Sequence, residues 1–236
     1  MESTITMNKY KHIYFDLDRT LWDFDNNARE TFIEIYTNRN LEPIFGNFET
    51  FFSTYNHYND LLWKDYREGK IEKSVLSYKR FALTLNDFGV IDDELAKKIA
   101  NDYITISPTK KRLFPYVHET LDYLSEKYQL HIITNGFNEV QYTKLKNSNL
   151  DKYFKNVFTS EDAGAQKPSS IIFEHALKLS HADRNESLMI GDDLEVDVLG
   201  ARNVGLDQIF FNPEQIKHNE KVTYEILSLK ELQEIL

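Results

Sequence analysis

The sequence contains no cysteine. That excludes disulfides, thiolate zinc centres and cysteine nucleophiles, and it fits a cytoplasmic protein. Also missing is any run near the ~18 consecutive apolar residues of a bilayer-spanning helix, so no membrane association is expected. The opening residues, MESTITMNKYKH, lack the apolar centre of a secretory leader. Positive charge is short as well: 28 Lys and Arg stand against 38 Asp and Glu, a formal net charge of −10. Binding to a nucleic-acid polymer rests on clustered cations, so that class drops out. A small phosphorylated ligand stays open, because one local basic group or a metal ion suffices to hold it.

What is present suits a globular chain. The 236 residues are 41% hydrophobic and 28% charged, enough for one large domain or a domain carrying a smaller one. Short apolar runs recur at 12–15, 130–133, 156–158, 187–190 and 208–211. They hardly alternate with polar residues, which predicts strands buried on both faces in a parallel sheet. Helical patterns fill the gaps: Val117, Leu121, Leu124 and Tyr128 are spaced 4, 3, 4, an apolar stripe at helical period. From about residue 113 onward the chain reads as a doubly wound α/β domain.

The stretch 23–111 differs, with no strand-like run. Helices are expected near 26–39, 48–67, 74–88 and 92–106, with Gly46, Gly69 and Gly89 as breaks. A four-helix block therefore interrupts the α/β domain, 1–22 and 112–236, after its first strand.

Four places carry chemistry. At Phe15-Asp16-Leu17-Asp18-Arg19-Thr20 an apolar run ends in two aspartates two apart, which point to the same side of an extended chain. They would converge at the C-terminal end of a strand, where open α/β sheets bind ligands. Close carboxylates repel unless a cation or proton intervenes, and oxygen-only ligands suit Mg²⁺. Two solvated aspartates in a turn fit the same residues equally well. At Ile190-Gly191-Asp192-Asp193-Leu194-Glu195-Val196-Asp197 another run ends in acids. Asp193 and Asp197 also suit a helix N-cap and the helix dipole; Asp192, directly after Gly191, is harder to explain that way. Thr134-Asn135-Gly136 offers a hydroxyl and amides for a phosphate oxygen, or a plain helix cap. Lys167, before Pro168, is an isolated lysine of a kind that is usually solvated.

The order D-x-D-x-T, T-N-G, K-P and G-D-D-x-x-x-D resembles the four motifs of the haloacid dehalogenase-like (HAD) hydrolase superfamily. The resemblance spans essentially the whole chain, and the helical insert looks like that superfamily's type 1 cap. Residues 16–24, 134–137 and 160–168 look like the YjjG-type branch, which includes pyrimidine 5′-nucleotidases. Arg19 departs from many relatives, which carry a small or acidic residue there.

The resemblance implies a Mg²⁺-dependent phosphatase acting on a small phosphorylated metabolite, a nucleoside 5′-monophosphate first of all. Asp16 would be the nucleophile and Asp18 the acid and then the base. Mg²⁺ would meet the Asp16 carboxylate, the Asp18 backbone carbonyl and Asp192. Asp193 or Asp197 would hold a bound water or orient Lys167. Thr134 and Lys167 would take phosphoryl oxygens, helped by the Asn135 and Gly136 amides. A dehalogenase needs no leaving-group proton, so Asp18 favours phosphate chemistry. Aromatics such as Trp22, Phe24, Tyr55, Tyr58, Trp63 and Tyr66 are available to stack on a base or simply to pack. The alternatives are a phosphomutase, a phosphonatase using a cap lysine (Lys64, Lys70 or Lys73), and a non-catalytic ligand-binding relative. The quaternary expectation is monomer or homodimer.

Overall fold

The computed structural model describes residues 9–236; the leader-free reading of the first residues lies largely outside them. Six strands form one sheet: β1 (His12–Phe15), β2 (Gln129–Thr134), β3 (Phe154–Thr159), β4 (Ser187–Gly191), β5 (Asp207–Phe211) and β6 (Tyr224–Ile226). Their order is β3-β2-β1-β4-β5-β6, and every pairing is parallel. All residues of β1 and β4 are buried, which is why their sequence does not alternate. Side chains nevertheless divide by face. Ile13, Phe15, Ile132, Leu188 and Ile190 enter one core with Val117, Leu121 and Leu124. Tyr14, Ile133 and Met189 enter another with Ile172, Phe173 and Ala176. This is the expected doubly wound parallel sheet.

The chain divides into two compact units, one running to Phe24 and resuming at Lys111–Leu236, the other Asp25–Lys110. The helices in chain order are α1 (Phe24–Asn38), α2 (Glu42–Phe45), α3 (Phe48–Arg67), α4 (Lys73–Asn86), α5 (Asp93–Ile106), α6 (Val117–Ser125), α7 (Asn138–Asn147), α8 (Ser160–Ala163), α9 (Ser170–Ser180), α10 (Gly200–Asn203) and α11 (Leu232–Ile235). The helical unit packs around Phe32, whose ring stacks on Tyr103 at 4.8 Å between centroids and touches Phe51, Tyr55 and Phe81. Gly46, Gly69 and Gly89 take φ of 72°, 70° and 73°, which a side chain resists.

Several short elements are absent from the sequence reading, among them α2, the one-turn helices α8, α10 and α11, and β6. The single turn α2 has too few residues for a periodic stripe, although Pro43 sits at its first turn. The edge strand β6 is three residues long, and only Ile226 is fully buried. Among the described residues no helix is long and apolar enough to cross a membrane.

Candidate active site

β1 lies between β2 and β4, so the chain leaves it toward opposite edges of the sheet. Crevices at the carboxyl ends of strands form at such a switch point. Asp16 follows β1, and its N–H donates to the Ile190 carbonyl at 2.9 Å, extending the ladder by one residue. Thr134 ends β2 and Asp192 follows β4. Three separate stretches of chain are thus delivered to one place by sheet register.

The Lys167 side chain joins them. Its ammonium lies 2.6 Å from Asp16 Oδ1, 2.6 Å from Asp197 Oδ1 and 2.8 Å from the Ile133 carbonyl. The contacts to Asp16 and Ile133 are hydrogen bonds, and the one to Asp197 is a close ion pair. Lys167 is 2% exposed, so it is far from the solvated lysine that is the usual case. The Asn135 side chain braces it: Nδ2 donates to the Lys167 carbonyl at 3.0 Å, and the Lys167 N–H donates to Oδ1 at 2.7 Å.

One oxygen from each of Asp16, Asp192 and Asp197 lies within 4.8 Å of the other two. Burial raises all three carboxyls above the ordinary aspartate range, that of Asp16 to about 7 against the pull of Lys167. The same two neighbouring acids push Lys167 upward despite its burial. Asp192 accepts a hydrogen bond from the Thr20 hydroxyl at 3.0 Å. With all three ionised, the two buried carboxylates, the half-buried Asp192 and one ammonium leave a surplus of two negative charges, and the donor set is all oxygen. These residues fit a hard divalent cation such as Mg²⁺.

The two flanking acids play different parts. Asp193 caps the next helical turn, its Oδ1 accepting from the N–H groups of Glu195 and Val196 at 3.0 Å each. Asp197 is the one that reaches Lys167. The turn that Asp193 caps, Leu194–Leu199, is wide, with π-type pairing, and carries Asp197. Asp197 comes so close to Gly191 that a Cβ there would run into its carboxyl.

The Asp18 carboxylate stands apart from the acidic trio. Lys144 Nζ lies 2.6 Å from its Oδ1, and Gln141 Nε2 donates to its Oδ2 at 2.9 Å. Gln141 also donates to Thr134 Oγ1 at 2.7 Å, and the Gly136 N–H donates to the same oxygen at 3.1 Å. Arg19 has a φ of 63°, and its guanidinium sits 4.5 Å from the Phe24 ring centroid. Of the aromatics, Trp22 and Tyr55 are buried in their own cores, and Tyr58 donates its hydroxyl to Asp87.

Thr20, Gln141 and Lys144 were not singled out as site residues from sequence. A signal for the last two exists. The buried residues of α7 are Gln141, Lys144 and Leu145, and positions i and i+3 share a helix face. A helix with so few aliphatic residues has to bury polar ones if it packs at all.

The haloacid dehalogenase-like hydrolase family matches residues 10–205. Pyrimidine 5′-nucleotidase PynA of Streptococcus pneumoniae is 32% identical over 231 residues, covering 96% of this chain and 95% of that protein. Pyrimidine 5′-nucleotidase YjjG of Escherichia coli is 30% identical over 233 residues, covering 97% and 98%. A magnesium-bound crystal structure of the HAD-hydrolase YfnB from Bacillus subtilis aligns with a TM-score of 0.88 at 28% identity, covering 96% of this chain and 98% of that one. The chain belongs to the haloacid dehalogenase-like hydrolase family.

Proposed function

We propose that the protein is a Mg²⁺-dependent phosphomonoesterase that works through an aspartyl-phosphate on Asp16, with nucleoside 5′-monophosphates as its preferred substrates. The observation that carries this reading is the placement of Asp16. Its carboxylate is buried at a strand end, touches Lys167 through Oδ1, and has a second carboxylic acid two residues on that is held separately. The substrate class is supported by the two pyrimidine 5′-nucleotidases among the relatives.

Asp16 attacks phosphorus in line, and the leaving oxygen takes the proton of Asp18. Asp18 then removes a proton from the water that releases phosphate and regenerates Asp16. Lys167 and Thr134 supply donors to the phosphoryl oxygens. A phosphoryl oxygen at Lys167 displaces one of its present oxygen contacts, and Asp16 is the natural one to go, since esterification removes its charge. Asp16, Asp192 and the Asp18 backbone carbonyl would hold Mg²⁺, with Asp197 orienting Lys167. When bound, the ion offsets the repulsion between an anionic nucleophile and an anionic phosphate. Asp193 serves as a helix cap. The helical unit, 25–110, is the counterpart of the family's cap domain.

Asp18 argues for phosphate over carbon–halogen chemistry, because halide leaves without a proton. The test is phosphate release from a panel of nucleoside monophosphates, sugar phosphates and an aryl phosphate with Mg²⁺. Release is expected to stop with EDTA and to fall by at least about 1,000-fold in Asp16→Asn. Halide release from a 2-haloacid without phosphatase activity would overturn the reading.

A further inference from the structure

Helix α7 turns a polar face toward the site. Gln141 is fully buried and Lys144 nearly so. Each takes a different oxygen of the Asp18 carboxylate, Lys144 at Oδ1 and Gln141 at Oδ2. The Lys144 ammonium is itself held 4.1 Å from the centroid of the Trp22 ring, a cation–π contact that restricts it. A carboxylate gripped at both oxygens cannot rotate freely about its terminal bond.

The Gln141 amide does a second thing. Its nitrogen carries two hydrogens, and they go to Asp18 and Thr134. Thr134 Oγ1 therefore accepts from Gln141 and from the Gly136 N–H. A hydroxyl has two lone pairs and one hydrogen. With both lone pairs taken, the Thr134 hydrogen can only be given away. Gly136 completes the arrangement, because a Cβ there would collide with the Gln141 side chain. The backbone approaches this amide at a distance only glycine allows.

We propose that Gln141 and Lys144 are positioning residues for the reaction. Together they fix the orientation of the Asp18 carboxyl group, and Gln141 also turns the Thr134 hydroxyl into a committed donor for a phosphoryl oxygen. One amide thereby sets the geometry of the leaving-group acid and of a phosphoryl donor at once. This rests on the roles given to Asp16 and Asp18 above. In the first step the Asp16 oxygen bonds phosphorus and the ester P–O bond breaks toward the leaving oxygen, which receives the Asp18 proton. In the second, water oxygen bonds phosphorus, its proton passes to Asp18, and the Asp16–phosphorus bond breaks toward Asp16.

The experiment is first-turnover kinetics of the full chain with Mg²⁺ on two substrates. One is the nucleoside monophosphate on which the parent is most active, whose alkoxide must be protonated; the other is 4-nitrophenyl phosphate, whose leaving group needs no proton. Lys144→Met is expected to slow the nucleotide about 10- to 100-fold while leaving the aryl ester within about threefold. Lys144→Arg should restore most of the loss. Gln141→Glu, which keeps the side chain's size, should slow both substrates because Thr134 loses its commitment, and slow the nucleotide more. Thermal unfolding of each variant checks that it is folded. Equal losses on both substrates in Lys144→Met, or an unchanged Gln141→Glu enzyme, would overturn the proposal. Asp18→Asn separates the two levels. If it is not selective for the nucleotide, the acid assignment itself fails; if it is selective and Lys144→Met is not, only the positioning role fails.

Discussion

Lys167 and Asp16 form a pair in which burial and charge pull in opposite directions. Desolvation lifts the Asp16 carboxyl to about 7, and Lys167 restrains the rise. On the proposed function a divalent cation needs the ionised form, so protons and Mg²⁺ would compete for this residue. Apparent Mg²⁺ affinity should therefore rise as pH increases from 6 toward 8, by up to about tenfold per pH unit for each proton displaced. Calorimetry in buffers of different ionisation enthalpy would show the proton release, and a pH-independent affinity would refute the competition.

A second buried titrating site lies within the sheet. His12 Nδ1 and His131 Nε2 are 3.1 Å apart, and Asn156 Nδ2 lies 3.2 Å from His131 Nδ1. The Asn156 amide nitrogen can only donate, so His131 Nδ1 accepts and its Nε2–H faces His12. Burial and the neighbouring His12 lower the His131 pKa to about 4. The imidazole is thus neutral in the fold while the unfolded chain takes up a proton below about 6.5. Stability should fall as pH drops from 6.5 to 4, by roughly 3 kcal/mol for this residue, and the loss should be complete below 4. His131→Gln is expected to flatten the 6.5-to-4.5 part of the profile measured by urea unfolding. Asp16 and Asp192 were legible in the sequence because Asp16 directly follows an apolar run and Asp192 follows one across Gly191. Gln141 and Lys144 were not, because a glutamine and a lysine on a helix ordinarily face water.

At the scale of elements, the strands were legible where burial on both faces left an apolar run of three, as at 13–15 and 188–190. Strand β6 escaped notice because an edge strand of three residues, one of them Glu225, leaves no run to see. The wide turn Leu194–Leu199 was also hidden. The spacing of Asp193 and Asp197 suits an ordinary helix start, whereas in the fold one caps and the other turns inward to Lys167. Asp193→Ala should cost about 1 kcal/mol through loss of the cap, read as a lowered denaturation midpoint. Gly200 begins α10 against α9, and a Cβ there would sit 2.9 Å from the Phe173 ring and 3.1 Å from Pro168 Cα. Gly200→Ala is expected to destabilise by roughly 1–3 kcal/mol. An unchanged unfolding midpoint would show that α9 yields without strain.

For the whole molecule, the absence of strand-like runs between 23 and 111 revealed a helical insertion within an α/β chain. The compact units divide at Phe24/Asp25 and Lys110/Lys111, where the chain passes from one hydrophobic cluster to another. A cation bound by the native carboxylates and not by the unfolded chain stabilises the fold by mass action. Mg²⁺ should accordingly raise the unfolding temperature in a concentration-dependent way, and Asp192→Asn should abolish the response. A Mg²⁺ response that survived this substitution would place the ion elsewhere.

The proposed mechanism requires a covalent bond between Asp16 and phosphorus. Rapid acid quenching of the enzyme during turnover, followed by peptide mass spectrometry, reads it directly. A phosphoryl group on the peptide carrying Asp16, lost on hydroxylamine treatment and absent from Asp16→Asn, is the predicted result. Phosphate release that continues in Asp16→Asn, or a phosphoryl group on a different residue, would contradict it.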